Sequence, residues 1–218
     1  FMNNIHGQRL NMDIPEAQGS GYVGRHGPDF LLTGDRASQM LNLRYGPDGN
    51  AYVIDWYDMQ ACHLDDPTRH DRTNGRIYKV SYGADNQKQA SPVNLAADDD
   101  LKLAEQVLNS NDWYVRHSRR LLQERSTERA IDAKAIEFLR TTLTTHTDPT
   151  RRLRALWVLH CVKSATDDAS ALASHDPHVR AWGVRLLAEE PANAPADFAA
   201  RLAELASKDV QPVRLSIA

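Results

Sequence analysis

Two different periods run along this chain. Between residues 41 and 82, apolar and polar positions alternate: Leu41, Leu43 and Tyr45, then Tyr52, Ile54 and Trp56, then Tyr78, Val80 and Tyr82. A period of two predicts three half-buried strands. Pro47-Asp48-Gly49 supplies the turn between the first two, and so predicts a hairpin. Beyond Pro92 the apolar positions recur in steps of three and four, as in Ile136, Leu139 and Leu143, in Leu153, Leu156, Trp157 and His160, and in Phe198, Leu202 and Leu205. That spacing predicts seven or eight amphipathic helices running to the end of the chain. Gly83 to Ser91 has no apolar residue except alanine and reads as the joint between the halves.

The helical half also carries a repeat. Asp112, Asp148 and Asp176 are each followed four residues later by Arg116, Arg152 and Arg180, and Asp209 by Arg214 with one residue inserted. The aspartates lie 36, 28 and 33 residues apart, and repeats near that spacing mark stacked helical hairpins, in which each unit buries its apolar face against its neighbours. Aspartate at these places suits a helix N-cap, and proline at 149 and 177 gives up no donor that a first turn needs. A cap contributes about 1 kcal/mol to its helix. The repeated Asp and Arg can also pair between units, an exposed pair adding about 0–1 kcal/mol. Trp157 and Trp182 read as packing residues, and His160 as a buried, satisfied histidine.

Composition narrows the class. The 218 residues are 41% hydrophobic and 25% charged, ordinary for a globular chain. No run approaches the roughly 20 apolar residues of a membrane span, and the first residues lack the pattern of a signal peptide. The chain opens without an initiator methionine and closes on a helical pattern that has only begun, so it reads as a piece of a longer protein. A formal net charge of −3 leaves no basic footprint for nucleic acid. The clusters Arg116, Arg119, Arg120 and Arg151, Arg152, Arg154 read as solvated helix faces. Cys62 and Cys161 lie in separate segments and read as free thiols, with no Cys-x-x-Cys-His haem site.

Candidate chemistry concentrates before the joint. The predicted second and third strands are linked by Tyr57 to Gly75, which carries Asp58, Cys62, His63, Asp65, Asp66, His70, Asp71 and Arg72. Because the tight turn closes one end of the hairpin, this long loop leaves from the other end, beside Arg36 to Gln39. Loops on a rigid sheet display function. The plainer reading is that these residues fasten the loop through Asx-type turns and an Arg72 ion pair with Asp55 or Asp58.

Several stretches are similar to a known family. Phe1-Met-Asn-Asn-Ile-His-Gly-Gln-Arg9, Gly19 to Phe30, Tyr45-Gly-Pro-Asp-Gly49, Asp55-Trp-Tyr-Asp58, Cys62-His63 and Asp71 to Tyr78 resemble large exported proteins of planctomycetes and verrucomicrobia described as membrane-bound dehydrogenases. In that family a β-propeller resembling the pyrroloquinoline-quinone sugar dehydrogenases precedes HEAT repeats, often followed by a c-type cytochrome domain. The resemblance implies an α+β chain in two segregated parts: C-terminal propeller blades at 1–83, a linker at 84–95, and a HEAT-like α-solenoid at 96–218. It implies an exported, periplasmic location, a sugar or alcohol substrate, a quinone and calcium in the full-length parent, and haem c on a domain outside this chain. The missing haem motif departs from the full pattern.

On that basis His26, His63 and Asp55 are the candidate catalytic residues, and His6, Arg9, Asp58, Asp71 and Arg72 the candidate substrate- or cofactor-binding residues, gathered with Asp29 at one mouth of the propeller. Histidine suits proton abstraction near neutral pH, a carboxylate orients it, and an arginine can grip a quinone carboxylate. A function of another class stands beside this one: a scaffold that binds a protein or polysaccharide partner through the propeller rim and the solenoid.

Overall fold

The structure is a computed structural model and describes residues 1–59, 66, 68, 73–83, 92–162 and 167–218. Among the described residues eight strands precede eight α-helices. The strands are β1 (Met2–Asn4), β2 (Arg9–Asn11), β3 (Asp13–Gln18), β4 (Gly21–His26), β5 (Leu31–Leu32), β6 (Met40–Tyr45), β7 (Ala51–Asp55) and β8 (Arg76–Val80). The helices are α1 (Asp100–Gln106), α2 (Asp112–Glu128), α3 (Ala133–Thr145), α4 (Pro149–Cys161), α5 (Asp167–Ala171), α6 (Pro177–Glu189), α7 (Phe198–Lys208) and α8 (Gln211–Ile217). By contact density they divide into two units, Phe1–Gln18 with Tyr22–Pro92, and Gly19–Gly21 with Val93–Ala218.

Among the described residues the strands form three small sheets, in the orders β1-β2-β5, β3-β4 and β6-β7-β8. None closes into a barrel or a propeller. This corrects the expectation of propeller blades followed by a HEAT-like solenoid: the chain is a mixed α+β protein. A propeller blade is typically a four-stranded sheet. Here no sheet exceeds three strands, and the strands of the first are only two or three residues long. Among the described residues the helices also differ in length, from five residues in α5 to 17 in α2.

The hairpin at 46–50 has a clear local cause. Gly49 takes a φ of +77°, the Gly49 N–H donates to the Gly46 carbonyl at 3.0 Å, and β6 pairs antiparallel with β7 from Tyr45↔Ala51. Asp48 accepts from the Asn50 N–H, the Tyr52 hydroxyl and Lys79 of β8. Burial works to raise its pKa, but these donors prevail and hold the carboxyl well below the ordinary range. On β7 the inward face is the opposite of the one the alternation predicts. Val53 and Asp55 are buried, whereas Ile54 and Trp56 are exposed. Leu10 of β2, Met40 of β6 and Val53 of β7 make one core, with Leu31, Leu43 and Tyr78 packed against it.

The helical unit has a larger core of Leu103, Leu122, Leu139, Leu156, Leu159 and Val179 among others, and a second around Leu172, Val184 and Leu187. Consecutive helices pack on one another, α3 on α4 and α5 on α6, and α2, α4 and α6 also touch in series. Trp157 and Trp182 pack partly buried against the larger core, their rings edge to face at 5.1 Å. Among the described residues no helix is long and apolar enough to cross a membrane.

Candidate functional site

The residues expected at a common mouth separate into distinct settings. Arg9 on β2 donates from Nη1 to Asp29 Oδ2 at 2.9 Å. His26, closing β4, stands half-exposed between two carboxylates, with Nδ1 at 3.3 Å from Asp13 Oδ1 and Nε2 at 3.6 Å from Asp29 Oδ1. Three of the residues weighed from the sequence thus do come together, joined by Asp13, which was not among them. His6 lies exposed in the turn between β1 and β2. There its carbonyl accepts from the Gln8 side chain.

Asp55 is placed differently. It has no exposed surface, and its Oδ1 accepts from the Gln39 and Tyr57 N–H groups while Oδ2 accepts from the Ser38 hydroxyl. This carboxylate fastens the 35–39 segment to β7, which corrects its placement at an open mouth. Asp58 is buried next to it: its N–H donates to the Ala37 carbonyl at 2.7 Å, and its carbonyl accepts from Gln39 Nε2 at 2.6 Å. His63, Asp71 and Arg72 lie outside the described residues, as do Cys62 and His70. Arg9, the candidate grip for a quinone carboxylate, already holds Asp29. Among the described residues no three His, Cys, Asp or Glu side chains gather as a metal-binding group.

The helical unit holds two settings that the hydrophobic pattern did not reveal. In the first, His160 Nδ1 lies 2.9 Å from Asp168 Oδ2, and its Nε2 lies 3.9 Å from Glu189 on α6. His160 is therefore satisfied by a carboxylate at the start of α5. Burial pushes the Asp168 carboxyl up, and burial likewise pushes up the neighbouring Cys161 thiol, which disfavours a reactive thiolate.

The second setting is the polar face of α2. Arg116, His117, Arg119, Arg120 and Gln123 line a cavity of about 310 Å³. Asn111 starts this helix by accepting from the Trp113 N–H, and its 3.6-residue period stacks positions 116, 119, 120 and 123 on one side. Two of these residues meet aromatic rings: His117 stacks on Trp113 with ring centroids 4.2 Å apart, and the Arg119 guanidinium lies 6.0 Å from the Trp157 ring of α4. Arg120 meets Glu124 at 3.4 Å. The arginine spacing is visible in the sequence; the concavity is not, and neither is the Arg119–Trp157 contact, because Trp157 arrives from another helix.

No family model, no curated protein and no solved structure matches this chain.

Proposed function

We propose that the chain is a binding module whose helical unit holds an acidic segment of a partner protein on the arginine face of α2. The observation that carries this reading is the cavity lined by Arg116, Arg119 and Arg120. Guanidinium groups present rigid forks that match carboxylates in pairs. Their spacing of three and four residues is the spacing at which a partner helix displays Asp and Glu along one side. The test is titration of the intact chain with a helical peptide carrying glutamates three and four positions apart. Arg116→Gln and Arg119→Gln are expected to weaken binding by about tenfold each, and added salt to weaken it further. Equal affinity for the wild type and both variants would sink the reading.

A second reading is favoured by one observation, the placing of His26 between Asp13 and Asp29. A carboxylate-oriented imidazole is the arrangement of a general base. In this reading a longer parent protein oxidises a sugar or alcohol and passes the electrons to a c-type cytochrome domain. His26→Asn in that parent should lower turnover with an artificial electron acceptor by about a hundredfold or more. Turnover unchanged by the substitution, or none on a panel of sugars and alcohols, would remove it.

A further inference from the structure

We propose that His117 makes the α2 cavity a proton-gated site for an oxyanion, with the imidazolium completing the grip that the three arginines begin. The inference rests on the reading of this face as the seat of an acidic segment, and adds what sets its affinity.

The argument starts from one hydrogen bond. His117 Nδ1 lies 2.8 Å from the Trp113 carbonyl oxygen, four residues back along α2. A carbonyl only accepts, so Nδ1 carries a hydrogen whatever the charge of the ring. In the neutral ring Nε2 is then a bare lone pair. A lone pair and an incoming carboxylate or sulfate oxygen are both acceptors and oppose one another. A second proton can go only to Nε2, and it converts that atom into a charged donor toward the same oxygen.

The Trp113 indole stacks on the imidazole at 24°, and Arg116, Arg119 and Arg120 line the cavity beside it. Charged groups on the adjoining α4 are already engaged. Arg154 donates to the Asn109 carbonyl and lies 3.4 Å from Asp112, and Arg151 donates to the same carbonyl and lies 3.6 Å from Asp148. On α2 itself Glu124 answers Arg120. An oxyanion among the three arginines offsets their field at His117, so the anion and the proton assist each other's binding. Such coupling is reciprocal: anion binding must draw a proton from solution to the extent that the proton tightens the anion.

The probe is inorganic sulfate, whose charge is constant over the range in which imidazole changes its own. The intact chain is titrated with sulfate at about pH 8, about pH 6.5 and about pH 5, and proton uptake is read at the middle value, because linkage ties it to the slope of log affinity against pH. Amide shifts of α2 in NMR give the affinity, and calorimetry in buffers of different ionisation enthalpy gives the protons taken up. Wild-type affinity is expected to rise about tenfold or more toward the lower pH, with net proton uptake on binding. His117→Gln keeps a neutral donor near the Nε2 position and should lose most of that rise; what remains measures the general gain of positive charge. Arg116→Gln should bind more weakly at both pH values. A pH dependence that survives His117→Gln, or wild-type binding without proton uptake, overturns the gate while leaving the arginine face standing. Sulfate that perturbs no α2 amide at either pH overturns both. If His117→Gln fails to fold, the proton uptake of the wild type decides by itself.

Discussion

A carboxylate with no exposed surface and three donors around it cannot act as a base without releasing the loop it ties down, and Asp55 is such a group. Asp55→Ala should leave two backbone N–H groups and a hydroxyl without their acceptor, destabilising the strand-rich unit by about 3 kcal/mol. Urea unfolding followed by Trp56 fluorescence would show it. An unchanged midpoint would mean that water replaces the carboxylate. The same residue explains why β7 turns the opposite face inward from the one its alternation predicts. Tyr52, Ile54 and Trp56 are the more apolar set, yet Val53 and Asp55 point inward. A pattern of hydrophobicity counts an aspartate as solvent-facing; its burial becomes favourable only once Ser38, Gln39 and Tyr57 surround it. His26 shows the converse. Nothing local marks it, and its two carboxylates come from 13 residues before and three after.

At the scale of the element, the aspartates cap as the sequence predicts where the cap is local. Asp148 accepts from Thr150 N–H, and Asp176 from His178 and Val179 N–H, each followed by the proline of the first turn. Asp112 is one residue off, since Asn111 caps α2, and the caps Asp99 and Asp132 lay outside the repeat. Asp209 does not cap α8 at all. It grips Arg180, 29 residues earlier, through two hydrogen bonds. The substitutions should therefore rank in order. Asp176→Ala is expected to cost about 1 kcal/mol, seen as a fall of about 2–4 °C in melting temperature, and Asp148→Ala a fall of the same kind. Asp112→Ala should do less, and Asp209→Ala should cost about 2–3 kcal/mol, because it takes the acceptors from Nε and Nη2 of Arg180 and leaves that guanidinium only the Ser174 and His175 carbonyls. A larger loss for Asp112→Ala than for Asp209→Ala would contradict the geometry. Gly183 of α6 admits a similar test. A β-carbon there would come within 2.9 Å of the Ala171 side chain and 3.2 Å of the Asp168 carbonyl. Gly183→Ala should therefore push α5 away and cost about 1–3 kcal/mol in thermal unfolding.

For the whole molecule, the acid limb of stability is the most direct prediction. Hydrogen bonds from Arg129 hold the Asp100 carboxyl well below the ordinary range against the opposing effect of its burial, with further help from the Asp132 N–H and from Arg125. This carboxyl stays ionised in the folded chain at pH values where the unfolded chain takes up a proton. The stability it contributes is complete above the ordinary carboxylate pKa of about 4 and drains away as pH falls below it. Asp209, lowered mainly by Arg180, acts in the same direction. Helical signal followed from about pH 6 to about pH 2 should thus show an acid transition, and Asp100→Asn should flatten it while lowering the plateau. An identical acid midpoint for the variant would remove Asp100 from the account.

Strands before residue 83, helices after 92, the turn at Gly49 and the caps at Asp148 and Asp176 followed from the sequence alone. Each depends on bonds and side-chain spacings confined to a few neighbouring residues. The tertiary structure alone decided how the strands divide among sheets, which ended the propeller expectation, because alternation specifies a strand and is silent about its partner. It also decided which charges meet. Arg125 and Arg129 reach Asp100, Arg180 reaches Asp209, and Arg9 reaches Asp29 across 20 to 29 residues of chain. Such meetings depend on how whole elements pack, and no periodicity within a single element records them.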